Sequence, residues 1–225
     1  MPERSYAGRE LDIFAHAHRW KQYWSAQLRP YIAGDVLEVG AGIGVNTPFL
    51  RSATPGRWLC LEPDQQLFKR LRATHPDSLL GTLDDIFEER FDTILYIDVL
   101  EHIERDRPEL AHAFSLLRPG GRVIVLSPAH PWLFSPFDAA IGHFRRYNRS
   151  MLLEISPCAP ERIFYLDAIG LFASAANKLL LKQSNPTLGQ IQLWDRWMVP
   201  LSRSLADPLL ERSAGKTIVG IWKKP

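Results

Sequence analysis

Short runs of apolar residues recur along the chain, at Val36–Val39, Trp58–Leu61, Phe91–Ile97 and Arg122–Leu126, and each is followed by a stretch of helical character. Continuous runs of this length suit strands buried on both faces, and their alternation with helices predicts a mostly parallel sheet covered on both sides. The helices are predicted roughly over Asn46–Ala53, Asp64–Thr74 and Pro108–Leu117. Asp64 and Asp106 offer N-cap oxygens, and Pro119-Gly120-Gly121 stops the third helix. A short strand is expected at Ser78–Gly81. The fold class is therefore α/β, doubly wound.

Beyond Leu126 the pattern changes. Residues Ser127 to Tyr147 mix three prolines and two histidines with a group of aromatic side chains. This is too irregular for an ordinary connection, and such insertions are often functional. Arg162–Leu166 and Lys216–Trp222 read as two final strands. The apolar, Trp-containing segment between them, Gly170 to Arg212, is predicted mostly helical and able to contribute to a lid.

Composition narrows the class. The 225 residues are 46% hydrophobic with a net charge of +2, which suits one domain with a large core and does not call for nucleic acid. Cys60 and Cys158 have no metal-type or disulfide-framework spacing. The N-terminal residues show no apolar core of a secretory signal, and the apolar stretch Ile163 to Leu181 is broken by Asp167, Ser174 and Asn177. A cytoplasmic protein is expected, monomeric or homodimeric.

Candidate chemistry begins at Val36-Leu37-Glu38-Val39-Gly40-Ala41-Gly42-Ile43-Gly44, where a strand passes into a helix through three glycines. Glycines there allow a sharp turn and close approach of a ligand to the backbone. Val45 stands where a dinucleotide fingerprint places its third glycine, which favours a nucleoside with an amino-acid tail over a pyrophosphate. Glu62 ends the next apolar run, where a carboxylate can accept hydrogen bonds from both ribose hydroxyls. Taken singly, the glycines could be only a tight turn and Glu62 only a solvated carboxylate.

These segments resemble the class I S-adenosylmethionine-dependent methyltransferases. VLEVGAGIG is similar to their first motif and LEPD to their acidic second motif; FDTILYIDVLEHI and LLRPGGRVIVLSP resemble the segments of the fourth and fifth strands. The resemblance implies a Rossmann-like seven-stranded mostly parallel sheet, with an N-terminal helix and insertions forming an active-site lid. It implies S-adenosylmethionine as cofactor and S-adenosylhomocysteine as product. The cofactor would be held by Glu38, Gly40, Ala41, Gly42, Gly44, Glu62, Pro63 and Asp98, with Thr82 and Leu83 in the adenine loop. Relatives often read Gly-Asp where this chain has Gly81-Thr82, so Asp84 or a backbone amide would serve instead. Trp20 and Tyr23 resemble the aromatic helix that folds over the cofactor, while Trp24 reads as core. The expected organisation is a single unit, 1–225, with 1–33 as helical lid, 34–126 holding the cofactor and 127–225 the acceptor.

Asp138-Ala139-Ala140-Ile141-Gly142-His143-Phe144-Arg145-Arg146-Tyr147 resembles the D-x-x-x-G-H-x-R-R-Y signature of a bacterial subgroup of these enzymes. Placed past a strand's C-terminal edge, it would stand over the crevice where open α/β sheets bind ligands. His143, with His130 second, is the candidate base, since an imidazole near its ordinary pKa of about 6.5 is largely neutral at pH 7. Asp138, Arg145, Arg146 and Tyr147 are candidate acceptor-binding residues. Equally, Asp138 and an arginine could form a structural ion pair, with Tyr147 in the core.

If Asp98-Val99-Leu100-Glu101-His102 were helical, its acid and imidazole groups would share one face. Some relatives hold a divalent ion with a similar arrangement, but the LEH string is common in relatives without one, and no metal is expected. The implied reaction is methyl transfer to a small molecule, a natural product or a sugar- or lipid-linked intermediate, at O or C with histidine-assisted deprotonation. An amine acceptor needs no base. The competing readings are a nucleotide-dependent oxidoreductase, a noncatalytic subunit that keeps the cofactor pocket, and a membrane-edge partner using Gly170–Arg212.

Overall fold

In the computed structural model, the described residues are 9–51, 56–176, 178 and 187–225. Seven strands form one sheet in the order β3-β2-β1-β4-β5-β7-β6. They are β1 Val36–Val39, β2 Trp58–Glu62, β3 Ser78–Leu80, β4 Phe91–Ile97, β5 Leu117–Pro128, β6 Arg162–Leu166 and β7 Thr217–Lys223. The first five are parallel, and β7 runs antiparallel to both β5 and β6. The seven-stranded, mostly parallel sheet expected from the sequence is therefore present.

Alternate residues of each central strand feed two apolar layers. Val36, Trp58, Leu95, Ile97 and Ile124 pack on one face with Trp24, Leu28 and Trp194. Leu37, Leu59, Ile94, Tyr96 and Val123 pack on the other with Leu110 and Leu152. Burial of both faces explains why β1 and β2 read as unbroken apolar runs rather than alternating ones. Burial of one Leu, Val or Phe side chain contributes about 1.5–3 kcal/mol, so these two layers dominate the stability of the fold.

The helices are α1 Arg9–Ala15, α2 His18–Leu28, α3 Thr47–Leu50, α4 Gln65–Thr74, α5 Asp106–Ser115, α6 Pro136–Ala140, α7 Arg149–Ile155 and α8 Ala168–Ala176. A helical run from 188 to 210 follows, made of α9 Leu188–Leu193, α10 Val199–Leu201 and α11 Asp207–Leu210 joined by π turns at Trp194–Met198 and Ser202–Ala206. Pro200 and Pro208 lie in this run, and a proline removes one backbone donor; local widening to i→i+5 bonding is a way to absorb such a defect.

Three expectations change. Asp64 caps α4 through the Gln66 and Leu67 amides, but α5 begins at Asp106 itself, with Arg105 at the N-cap. Pro119-Gly120-Gly121 does not end a helix; it forms an irregularity inside β5, where Phe91 pairs with Leu117 and Thr93 already with Arg122. The helix expected at Asn46–Ala53 is the single turn α3, and Ala53 lies outside the described residues.

The helix α2 lacks a cap of its own, because Ala17 has no side-chain acceptor. Asp195 supplies it from the far end of the chain, accepting from the Arg19 and Trp20 amides at 3.2 and 2.8 Å. We expect Asp195→Ala to destabilise the protein by about 1–2 kcal/mol, the usual effect of losing a cap, measured as a lower urea midpoint with an unchanged far-ultraviolet spectrum of the sheet.

Candidate active site

The chain leaves β1 toward β2 and β3 on one side, and returns through β4 and β5 on the other. This reversal opens a crevice at the C-terminal ends of β1 and β4. Gly40, Gly42 and Gly44 all have positive φ. At Gly40 a side chain would also strike Val99, 2.8 Å from the ideal Cβ position, so both conformation and space demand glycine.

Glu62, almost fully buried at the end of β2, braces this loop. Its Oε2 accepts from the Gly42 amide at 2.8 Å and its Oε1 from the Asp64 amide at 2.9 Å. Burial raises its pKa and the two amides oppose the rise. Each oxygen retains a second lone pair for a ligand hydroxyl. Ala41 is buried and Pro63 exposed beside it.

Glu38 has a different setting. Its Oε2 accepts from Thr47 Oγ1 and Trp58 Nε1 at 2.8 and 2.9 Å, tying β1 to α3 and β2. Thr82 and Asp85 cap a short 3-10 turn, Leu83 packs into the core, and exposed Asp84 faces His112 at 3.4 Å.

The floor of the crevice is Asp98. Its side chain is solvent-exposed, yet protein surrounds it deeply enough to push the carboxyl up to about 6; lost hydration raises it, and the charges of His143, Lys21 and Lys216 hold it back. Its φ is 55°. With His130 and Asp167 it is one of three non-glycine residues of positive φ among those described, and all three follow the ends of strands β4, β5 and β6. Strained backbone collects at functional sites. Only the short 3-10 turn Leu100–His102 follows Asp98, so a shared α-helical face does not bring these groups together.

Trp20 and Tyr23 are both buried. Trp20 packs on Trp194 at 5.5 Å, and Tyr23 donates its hydroxyl to Asp207 at 2.7 Å. They fasten α2 to the 188–210 run. Between them Lys21, which carried no signal in the sequence, is buried within the field of Asp98; burial lowers its pKa to about 8 against the charges of Asp98 and Asp195. Lys216, ahead of β7, is likewise near Asp98, Asp138 and Arg146. Neither lysine lies in a motif; only a topology that brings α2 and β7 to one edge could reveal them.

The 127–147 insertion is organised by Asp138, fully buried. It accepts from Ser135 N and Oγ, from His143 Nδ1 at 3.0 Å and from Arg146 Nε and Nη2 at 2.8 and 3.1 Å. Burial raises its pKa, but the bonds from His143 and Arg146 outweigh this and hold the carboxyl well below the usual range. Arg145 is engaged with Asp106 at 2.6 Å and the carbonyls of Ile103 and Glu104; Tyr147, buried, donates to Asp106 at 2.8 Å. The His143 side chain is 7% exposed. His130 stacks on Tyr165 at 5.3 Å, and its Nε2 is sealed from solvent without a partner. Of the candidate acceptor residues, then, Asp138, His143 and Arg146 form one network, while Arg145 and Tyr147 bind the scaffold.

Residues 37–123 match a family described as a methyltransferase domain. This segment is thus similar to methyltransferase domains. Demethylmenaquinone methyltransferase from Tropheryma whipplei (strain Twist) is 26% identical over 67% of this chain and 65% of its own length. A protein named as a probable S-adenosylmethionine-dependent methyltransferase from Mycolicibacterium smegmatis is 28% identical over 63% of this chain and 56% of its own. The chain thus spans under two thirds of the curated relatives it matches. Among solved structures, the complex of a methyltransferase with the Haloferax volcanii Trm112 activator is similar at a TM-score of 0.67, with 14% identity over 99% of this chain and 97% of that one. N-methyltransferase NodS from Bradyrhizobium japonicum, in complex with S-adenosyl-L-homocysteine, has a TM-score of 0.59, with 13% identity over 98% and 93%. These structures share the fold.

S-adenosylmethionine, the cofactor of such domains, fits the residues of this crevice. Glu62 has acceptor capacity left for a ribose, and Asp98 makes no hydrogen bond or close ion pair through its carboxylate among the described residues, which suits a cationic tail.

Burial raises the Glu38 pKa from 4.5 to about 7, with Thr47, Trp58 and Cys60 opposing. Between those values the folded protein holds a proton that the unfolded chain has released, so stability falls as pH rises through this window, by about 3 kcal/mol in all. We expect Glu38→Gln to flatten that fall in urea titrations from pH 4.5 to 8.

Proposed function

We propose that the chain is an S-adenosylmethionine-dependent methyltransferase acting on a small-molecule hydroxyl, with 34–126 holding the cofactor and 127–225 the acceptor. The observation that carries this reading is the pairing of the Glu62-braced glycine loop with the Asp98 carboxylate at the end of β4, both inside the segment that matches methyltransferase domains. The cofactor supplies an electrophilic methyl: as the acceptor oxygen bonds to it the carbon–sulfur bond breaks, a neutral thioether leaves, and the hydroxyl proton passes to the protein.

The chain's contribution is placement and exclusion of water, and positioning can supply about 7–11 kcal/mol of barrier lowering. Leu11 of α1 lies over Gly42, within 3.4 Å of where a side chain there would begin, which closes the crevice from above. The proton leaves at the Glu101–His102–His143 end. His143 is favoured over His130 because Asp138 fixes its Nδ1 and part of its ring is reachable, whereas the His130 Nε2 is sealed. Calorimetry with S-adenosylhomocysteine should show Glu62→Gln binding about 10–100-fold more weakly, the scale of hydrogen bonds to a charged group. His143→Ala should bind normally and lose turnover by about 10²–10⁴-fold. Unchanged affinity in the Glu62 variant would refute the ribose role.

The acceptor is lipid-linked or otherwise apolar, and the protein meets it at a membrane surface. No described helix is long and apolar enough to cross a membrane. However, Leu193, Trp197, Leu201, Leu205 and Leu209, four residues apart, are all exposed, up to 84% at Leu209. The π turns lengthen the repeat beyond the α-helical value of about 3.6 residues, which keeps residues at this spacing on one face. Arg196 and Arg203 are exposed in the same run and Arg212 just beyond it, as in helices that rest on anionic lipid. One curated relative is named for demethylmenaquinone, consistent with an apolar acceptor. Flotation with phosphatidylglycerol vesicles should carry the protein, and Leu201→Glu with Leu205→Glu should leave it at the bottom of the gradient.

A further inference from the structure

We infer that Glu101, His102 and His143 form a binding site for a first-row divalent transition ion, held at the acceptor end of the crevice. One donor atom from each residue lies within 4.8 Å of the other two. Glu101 is fully buried; its Oε2 accepts from Ser127 Oγ at 2.9 Å, while its Oε1 has no hydrogen-bond partner. An unpartnered buried carboxylate oxygen is costly and rare in folded proteins. That oxygen faces His143 Nε2 at 4.0 Å, too far for a direct hydrogen bond in either protonation state.

The histidine is prepared for a ligand's role. Asp138 takes the proton on Nδ1 at 3.0 Å, which leaves Nε2 with a free lone pair 4.0 Å from the unpartnered Glu101 oxygen. A carboxylate behind the distal nitrogen is the arrangement that orients metal-bound histidines. The ring of His102 stands edge-on to that of His143 at 4.5 Å, and its exposure gives an ion a path in. Tetrahedral donors around zinc lie about 3.3 Å apart at ordinary bond lengths, so closing the set requires Glu101 and His143 to approach from 4.0 Å and the exposed His102 to rotate inward.

Two imidazoles and one carboxylate select zinc, cobalt or manganese over calcium or magnesium, which take oxygen donors. Three protein ligands leave positions open toward the crevice. This proposal departs from the expectation of no metal drawn from the sequence. The ion's catalytic meaning rests on the methyl-transfer reading: a hydroxyl beside a dication loses its proton more readily. With the ion bound that proton passes to solvent water, His143 serves as a ligand instead of as the base, and the turnover lost in His143→Ala reports loss of the ion.

The test uses the purified full chain freed of metal with a chelator, then titrated with Co²⁺ and, separately, Zn²⁺. One ion should bind per chain, with cobalt absorption bands of nitrogen coordination. Glu101→Gln and the exposed-site variant His102→Ala should each weaken binding by at least about 100-fold, and Asp138→Asn by about 10–100-fold, as outer-shell changes do. His112→Ala should bind as the wild type does. A cobalt spectrum of the free aqueous ion, or wild-type affinity in both Glu101→Gln and His102→Ala, overturns the site. S-adenosylhomocysteine binding is measured on the same samples. Nucleoside binding without ion binding removes the metal and leaves the methyl-transfer reading standing, while ion binding without nucleoside binding does the reverse.

Discussion

A carboxylate removed from water must be met by donors, and this requirement organises the whole C-terminal edge of the sheet. Glu62 is met by the Gly42 amide of the glycine loop and the Asp64 amide of its own turn, Asp138 by a serine, a histidine and an arginine of the insertion. Asp167 is met by Trp194 and Ser202, each at 2.8 Å, and Asp207 by Tyr23 and the Asp167 and Ala168 amides. Because uncompensated burial of a charge is so unfavourable, each acid fixes the elements that carry its donors. The arrangement of α2, the insertion and the 188–210 run over the crevice follows from these few contacts more than from apolar packing, which would tolerate sliding.

The two ends of the crevice are built differently. At the cofactor end the backbone does the work, through glycines that allow close approach and an acid that braces them. At the acceptor end side chains from three separate segments converge, and strained residues at Asp98 and His130 aim them. A site assembled in this way can keep its cofactor geometry while the insertion varies, since the parts that hold the nucleoside and the parts that meet the acceptor share few contacts.

Glu101 shows how one position can combine both needs. It anchors β5 through Ser127, yet keeps one oxygen unpaired beside His102 and His143 and within the field of Asp98. A purely structural acid in such a place would be expected to use both oxygens. Arg145 and Tyr147, next to His143 in the signature, do use all they have on the scaffold, so within ten residues the chain separates support from chemistry.

The sequence alone determined the strands and the glycine loop. Apolar periodicity and backbone conformational freedom are local properties, so Val36–Val39, Phe91–Ile97 and Arg162–Leu166 were legible to the residue. It also placed Glu62, because a strand end fixes where an acid must stand. Tertiary structure decided that Asp195 caps a helix some 175 residues away, that Trp20 and Tyr23 are fasteners, that Lys21 and Lys216 look toward Asp98, and that Glu101 and His143 face each other. Those contacts join segments distant in the chain, and partner choice between them is set by which buried charge lacks a donor, a quantity defined only once the chain has folded.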